Sequence, residues 1–135
     1  MANKLYPKGA EKIGTKLIDL TSDTIKAILL SDAYTYSAAH EFLSDIAASQ
    51  LGTNQTLASK SFTGGVFDAA DVVYSAVTLG ANAKFVALYK DTGVAGTSPV
   101  LFFADVITGF PMATNGGDIT VKWDDGAYKI FSFVP

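Results

Sequence analysis

The chain has 135 residues, enough for one domain that buries roughly two-thirds of its unfolded surface. Apolar residues make up 49% and charged residues 17%, a balance that excludes a disordered chain. The net charge of -3 comes with no Arg and no Lys cluster, which argues against a nucleic-acid partner because phosphates need a basic face.

There is no cysteine, so disulfides, thiol catalysis and Cys-based metal sites are absent. Met1 to Tyr6 lacks the apolar run of a signal peptide, and no apolar segment approaches the ~20 residues of a membrane span. These features lead us to expect a chain made in the cytoplasm, with no membrane partner.

Residues 3–13 place Leu5, Tyr6, Ala10 and Ile13 at roughly helical spacing, interrupted by Pro7 and Gly9. A short helical turn or an ordered arm within residues 1–15 both fit. Lys16 to Leu20 is expected as a short strand. Thr21-Ser22-Asp23 turns the chain, and Thr24 to Leu30 reads as a strand rich in β-branched residues, apolar on both faces towards its end. A polar loop with Tyr34 and Tyr36 follows. Phe42, Leu43 and Ile46 then meet helical spacing, placing a short helical element near residues 40–47. Residues 49–59 read as a long loop or a weak edge strand.

From Lys60 the β rhythm is regular. Residues 59–63 and 66–69 flank the hairpin signal Gly64-Gly65, and strands are expected at Asp71–Val77, Lys84–Tyr89 and Val100–Ile107. Ile119, Val121 and Trp123 alternate with Thr120 and Lys122. Asp125-Gly126 then supplies the dipeptide favoured in a type I′ turn, so a C-terminal hairpin is expected with Tyr128 and Ile130 on its return strand. Seven or eight short strands with turns about every ten residues define an all-β domain spanning 1–135. An antiparallel β-sandwich, immunoglobulin-like or jelly-roll-like, or a barrel would have this pattern.

Residues that could carry chemistry are sparse. His40 is the only histidine, and His40-Glu41 has Ser44 where a zinc-protease helix needs its second His. We read His40 as bordering the short helix. Asp118, Asp124 and Asp125 lack the alternating acidic loop of a calcium site and fit turn chemistry. Gly93-Val94-Ala95-Gly96 is followed by Thr97, not by the Lys of a phosphate-binding loop. No catalytic, cofactor-binding or metal-binding residue is therefore expected. The strands instead carry a surplus of apolar side chains for one core (Val86, Leu88, Leu101, Phe103, Phe131 and Phe133), suggesting a face that another chain covers. The C-terminal segment from Phe131 to Pro135 is a candidate to add a strand to a neighbour's sheet edge.

Several segments in order resemble a family of small proteins encoded among the head genes of tailed bacteriophages. They are Met1 to Gly9, Asp23-Thr24-Ile25-Lys26, His40 to Ile46, Asp68 to Val72, Tyr89 to Gly93, Asn115 to Asp124 and Tyr128 to Phe131. Leu20 departs from the pattern, which places a Trp there, and the tail from Ser132 to Pro135 is less typical. The resemblance implies a virion structural protein on the capsid surface, of the decoration or cement type. Its partners would be the major capsid protein and itself, as a homo-oligomer and most often a trimer. A few aromatic side chains would dominate such binding. The candidates are Tyr6, Tyr34, Tyr36 and Phe110, from the arm and loops. A neck or tail ring component, or a carbohydrate-binding or host-adhesion module, are the alternatives.

Overall fold

A computed structural model describes residues 3–124, 126 and 129–133. The chain is mostly β, with antiparallel sheets and one short α-helix among these residues. β1 (Lys4–Leu5) leads through Tyr6 into α1 (Pro7–Gly14), where Pro7 takes a first-turn position that needs no N–H. β2 (Ile25–Ser31) follows, and two single 3-10 turns, Leu43–Asp45 and Ala47–Ser49, precede β3 (Gln50–Thr56). The expected helical element thus takes 3-10 form. β4 (Ser61–Thr63), β5 (Val66–Asp68), β6 (Val72–Tyr74), β7 (Asn82–Lys90), β8 (Val100–Ala104), β9 (Met112–Ala113), β10 (Ile119–Val121) and β11 (Phe131–Ser132) complete the described strands.

The main sheet runs β1-β8-β7-β2-β3, with β9 added to β7. β6 pairs with β10, and β4, β5 and β11 form a third ladder with β5 in the middle. One face of the main sheet turns Ile25, Ala27, Leu29, Val86 and Leu88 into a core that Phe67, Val72, Tyr74, Val121 and Phe131 close from the smaller ladders. Phe131 lies between Phe67 (5.2 Å between ring centroids) and Phe102 (5.1 Å). The Tyr74 hydroxyl donates to the Ala27 carbonyl at 2.7 Å, satisfying a polar group that burial would otherwise penalise. The result is a sandwich-like arrangement.

The opposite face of the same sheet is also covered. Ile28, Leu30, Phe85, Ala87, Val100 and Phe103 pack there under Tyr6, Tyr34, Leu43 and Ile46. Two cores on one sheet account for the apolar surplus. Val86, Leu88, Leu101 and Phe103 are wholly buried, Phe131 nearly so, and only Phe133 of that set is exposed. Each fully buried Leu or Phe contributes on the order of 2 kcal/mol of transfer free energy. The five buried side chains are therefore stabilised within the chain, which corrects their reading as a partner-covered face; Phe133 alone of the set keeps that reading open.

The N-terminal segment lies along its own sheet. Lys4 and Leu5 pair with Phe103 and Phe102, and the Tyr6 N–H donates to the Leu101 carbonyl at 3.0 Å. Helix α1 then rests on β8 backbone to backbone. A Cβ on Gly9 would stand 2.2 Å from the Val100 carbonyl oxygen and 2.5 Å from the Leu101 Cα. The residue that interrupts the helical pattern in the sequence is the one that permits the contact.

Two strand expectations are corrected. Residues 16–20 form no strand. The Asp19 carboxylate accepts the N–H of Thr21 (3.1 Å) and Ser22 (3.2 Å), while Asp23 accepts the Asp19 N–H at 2.7 Å. Such carboxylate-to-backbone bonds compete with extended pairing and fold the segment into a turn. At the C-terminus, β10 pairs with β6 and β11 pairs with β5, so the two expected hairpin strands belong to different ladders. Trp123 explains the parting: its backbone N–H reaches Asp71 Oδ1 at 2.9 Å and its indole N–H reaches the Ala70 carbonyl at 3.0 Å. Asp125 and Tyr128 lie outside the described residues, so the turn expected at Asp125-Gly126 does too, as do Val134 and Pro135 of the C-terminal tail. Gly64-Gly65 does join β4 to β5, with φ of 61° and 81°, the positive pair a type I′ turn requires.

Among the described residues, strand β3 is the longer of the two edge strands of the main sheet. Its register against β2 breaks between Ala27 and Leu29, opposite the stretch where Gly52 adopts φ 66°. Within that stretch Gln50 Nε2 donates to the Gly52 carbonyl (2.9 Å) and Gln55 Nε2 to the Thr53 carbonyl (2.8 Å).

Candidate interaction surface

Three of the four expected anchors meet on the outer face of the main sheet. Tyr6 stacks on Tyr36 at 5.0 Å, and Phe103 lies under both Tyr36 (5.1 Å) and Tyr34 (5.7 Å). Tyr6 is wholly buried and Tyr34 is 6% exposed, so neither ring is offered to a partner. Tyr6 follows a strand paired to β8, and the Tyr34 loop folds back over the sheet. Tyr36 is half-buried; its hydroxyl donates to the Leu5 carbonyl at 3.2 Å, and Lys4 Nζ sits 4.4 Å above its ring. Phe110 stands apart from the three, half-buried against the other core.

A polar chain runs through this cluster. The Tyr6 and Tyr34 hydroxyls are 2.7 Å apart, and the Tyr34 hydroxyl is 2.8 Å from His40 Nδ1. Burial pushes the Tyr34 hydroxyl up to about 12 and raises Tyr36 as well. Tyr6 is raised further still, by burial first and then by its bond to Tyr34. These hydroxyls therefore keep their protons across the physiological range.

The exposed aromatic surface lies elsewhere. Phe62 on β4 and Phe133 after β11 meet edge to face at 5.6 Å and remain 38% and 45% exposed. Phe62 also lines a groove of about 370 Å³ whose other walls include Ile13, Lys16, Ile18 and Leu20. In the adjoining turn Leu17 is exposed too. The turn itself is firmly held. Lys90 Nζ bridges Asp23 (3.2 Å) and the Leu17 carbonyl (2.9 Å), and Lys60 Nζ bonds to the Asp23 carbonyl. Hydrogen bonds from Ser22 and Thr21 hold the Asp19 carboxyl down at about 2. The sequence offers one signal for this surface, a Phe between two polar residues in a three-residue strand beside a Gly-Gly turn. Only the ladder order shows that the strand is an edge.

A second cavity of about 430 Å³, lined by Asn3, Thr108, Lys122, Asp124 and Ile130 among others, is more polar. Among the described residues no group of three or more His, Asp or Glu side chains is placed to hold a metal ion. No described helix is long and apolar enough to cross a membrane. No protein-family model and no curated protein matches the chain.

Proposed function

We propose that the chain is a virion structural protein of a tailed bacteriophage, an outer-capsid decoration protein that stabilises the shell by bridging major capsid protein subunits. The ordered resemblance from Met1 to Phe131 supports the virion setting. The observation that carries the binding role is the exposed Phe62–Phe133 pair beside an apolar groove. A few aromatic side chains carry most of the energy of a protein interface, and exposed apolar surface is stabilised when it is covered. These two Phe, rather than the buried tyrosines, are the anchors of this reading. A body stiffened by two cores and a hydrogen-bonded turn loses little conformational entropy on docking. Copies working as a homo-oligomer, a trimer in the simplest case, would multiply a modest contact at subunit junctions.

The test is the copy number of the protein in purified virions relative to the major capsid protein. Near-equal stoichiometry is the expected result. A handful of copies would move the protein to a neck or tail ring, and its absence from particles would end the virion reading.

A further inference from the structure

We propose that residues 3–15 are an exchangeable arm: β1 and α1 of one copy seat on the main sheet of a second copy, and Lys16 is the hinge that decides between the two seats. The inference deepens the homo-oligomer part of the proposed function by naming how copies meet. It stands apart from the virion setting, because it is read on the purified protein alone.

Helix α1 ends in a chain reversal built from two backbone bonds. The Lys16 N–H donates to the Ile13 carbonyl at 3.3 Å, and the Leu17 N–H donates to the Lys12 carbonyl at 2.9 Å. In this helix-ending motif the residue after the cap lies in the left-handed region, a place that glycine usually takes. Here Lys16 takes it, at φ 68°, although its Cβ disfavours that conformation. Gly14, which could adopt it freely, stands two residues too early, inside the helix. If Lys16 turns right-handed, ordinary helical bonds replace the two reversal bonds and the arm points away from its own sheet. The hinge has room to do so: residues 14–17 are exposed, and a Cβ on Gly14 would meet nothing within 4 Å. Just beyond, the chain is fixed, since the Leu17 carbonyl accepts from Lys90 Nζ at 2.9 Å.

The seat suits the arm of another copy as well as the chain's own. The contacts that hold the arm reach far along the sequence, from 28 positions between the Tyr6 and Tyr34 hydroxyls to 103 between Asn3 and Val106. Lys12 of α1 pairs with Glu41, the Tyr36 hydroxyl donates to the Leu5 carbonyl, and Lys4 and Leu5 pair with Phe103 and Phe102. None of these depends on which chain supplies the arm. A second copy therefore makes the same contacts and also relieves Lys16. Tyr6 stays buried, now in another copy's aromatic socket. An emptied seat leaves β8, buried along all 5 of its residues, as a bare apolar edge, so a departing arm is replaced by a neighbour's. Exchange costs the independent motion of separate copies, and it grows as copies crowd together.

The wild-type protein gives the first test. Isotope-labelled and unlabelled chains are unfolded together in urea, refolded and concentrated to the millimolar range. Filtered NMR should then show contacts between Tyr6 of one chain and Tyr36 or Phe103 of another, rings that lie 5.0 Å and 6.3 Å apart. Contacts confined to single chains would overturn the proposal. Two hinge variants give the second test, read by sedimentation. Lys16→Gly relaxes the closed hinge and should lower the association constant about fivefold or more, the worth of one left-handed side chain. Lys16→Val, whose branched Cβ tolerates the left-handed region less well, should raise it. Association that neither substitution moves would show that copies meet through another surface. The copy number in virions does not enter either measurement, so the two readings fail separately.

Discussion

The Asp45 carboxylate accepts the N–H of Glu41 at 2.9 Å and of Phe42 at 3.0 Å, at the start of the first 3-10 turn. The Phe42 bond, then that from Glu41, lowers its proton affinity below the usual carboxylate range. A carboxyl lowered in the fold contributes stability above its unfolded value of about 3.9. That contribution is lost as the pH falls through the folded value. Asp45→Ala should therefore cost about 1 kcal/mol at neutral pH, the usual worth of a capping side chain. In urea unfolding, the gap between variant and wild type should close as the pH falls through the carboxyl's lowered folded value, below which the native side chain is protonated as well. A gap that persists in acid would mean that Asp45 acts through packing rather than charge. Asp91, lowered by the Gly93 N–H and then by Lys26, follows the same sign.

At the scale of elements, the α1–β8 contact makes the sharpest prediction. Ala is a better helix former than Gly, so propensity alone would make Gly9→Ala stabilising. The added methyl would collide with backbone atoms of Val100 and Leu101, which cannot rotate away. Overpacking of this kind costs about 1–3 kcal/mol or more, and the urea midpoint should fall accordingly. An unchanged or higher midpoint would show that the helix lifts off without penalty. The same element shows what the sequence could and could not disclose. Strands β2, β7 and β8 were legible because their apolar runs are long and flanked by turn residues. The Gly64-Gly65 hairpin was legible because two positive φ values demand such residues. The C-terminal pairing was not, because Ile119 to Trp123 alternates equally well against any neighbour. Its true partner, β6, is 45 residues earlier and is selected by the Trp123 bonds to Ala70 and Asp71. Residues 16–20 misled for a related reason: local carboxylate bonds outweighed an apolar alternation. Tyr6 and Tyr34 were named from their arm and loop positions, and such a position says nothing about which way the loop folds, whereas Phe62 became visible as a candidate anchor only with the ladder order.

At the scale of the whole molecule, one sheet serves two cores, and its apolar side chains are consumed internally. What remains outside is a small aromatic pair on the rim of the third ladder. Phe62→Ser combined with Phe133→Ser should leave the urea midpoint within about 1 kcal/mol of wild type, as expected for side chains with much of their surface in water. On the proposed decoration role, binding to shells of the major capsid protein should weaken by tenfold or more, as for truncated interface anchors. Undiminished binding would move the contact to another face. The open edge at β3 has a different consequence. It is seven residues long and carries neither charge nor proline, the usual guards of an exposed strand. Its guards are Gln50 and Gln55, whose amide groups occupy backbone acceptors in the break of register. A chain built this way can accumulate to high local concentration, as the proposed decoration role would require, without this free edge seeding fibrous cross-β stacks.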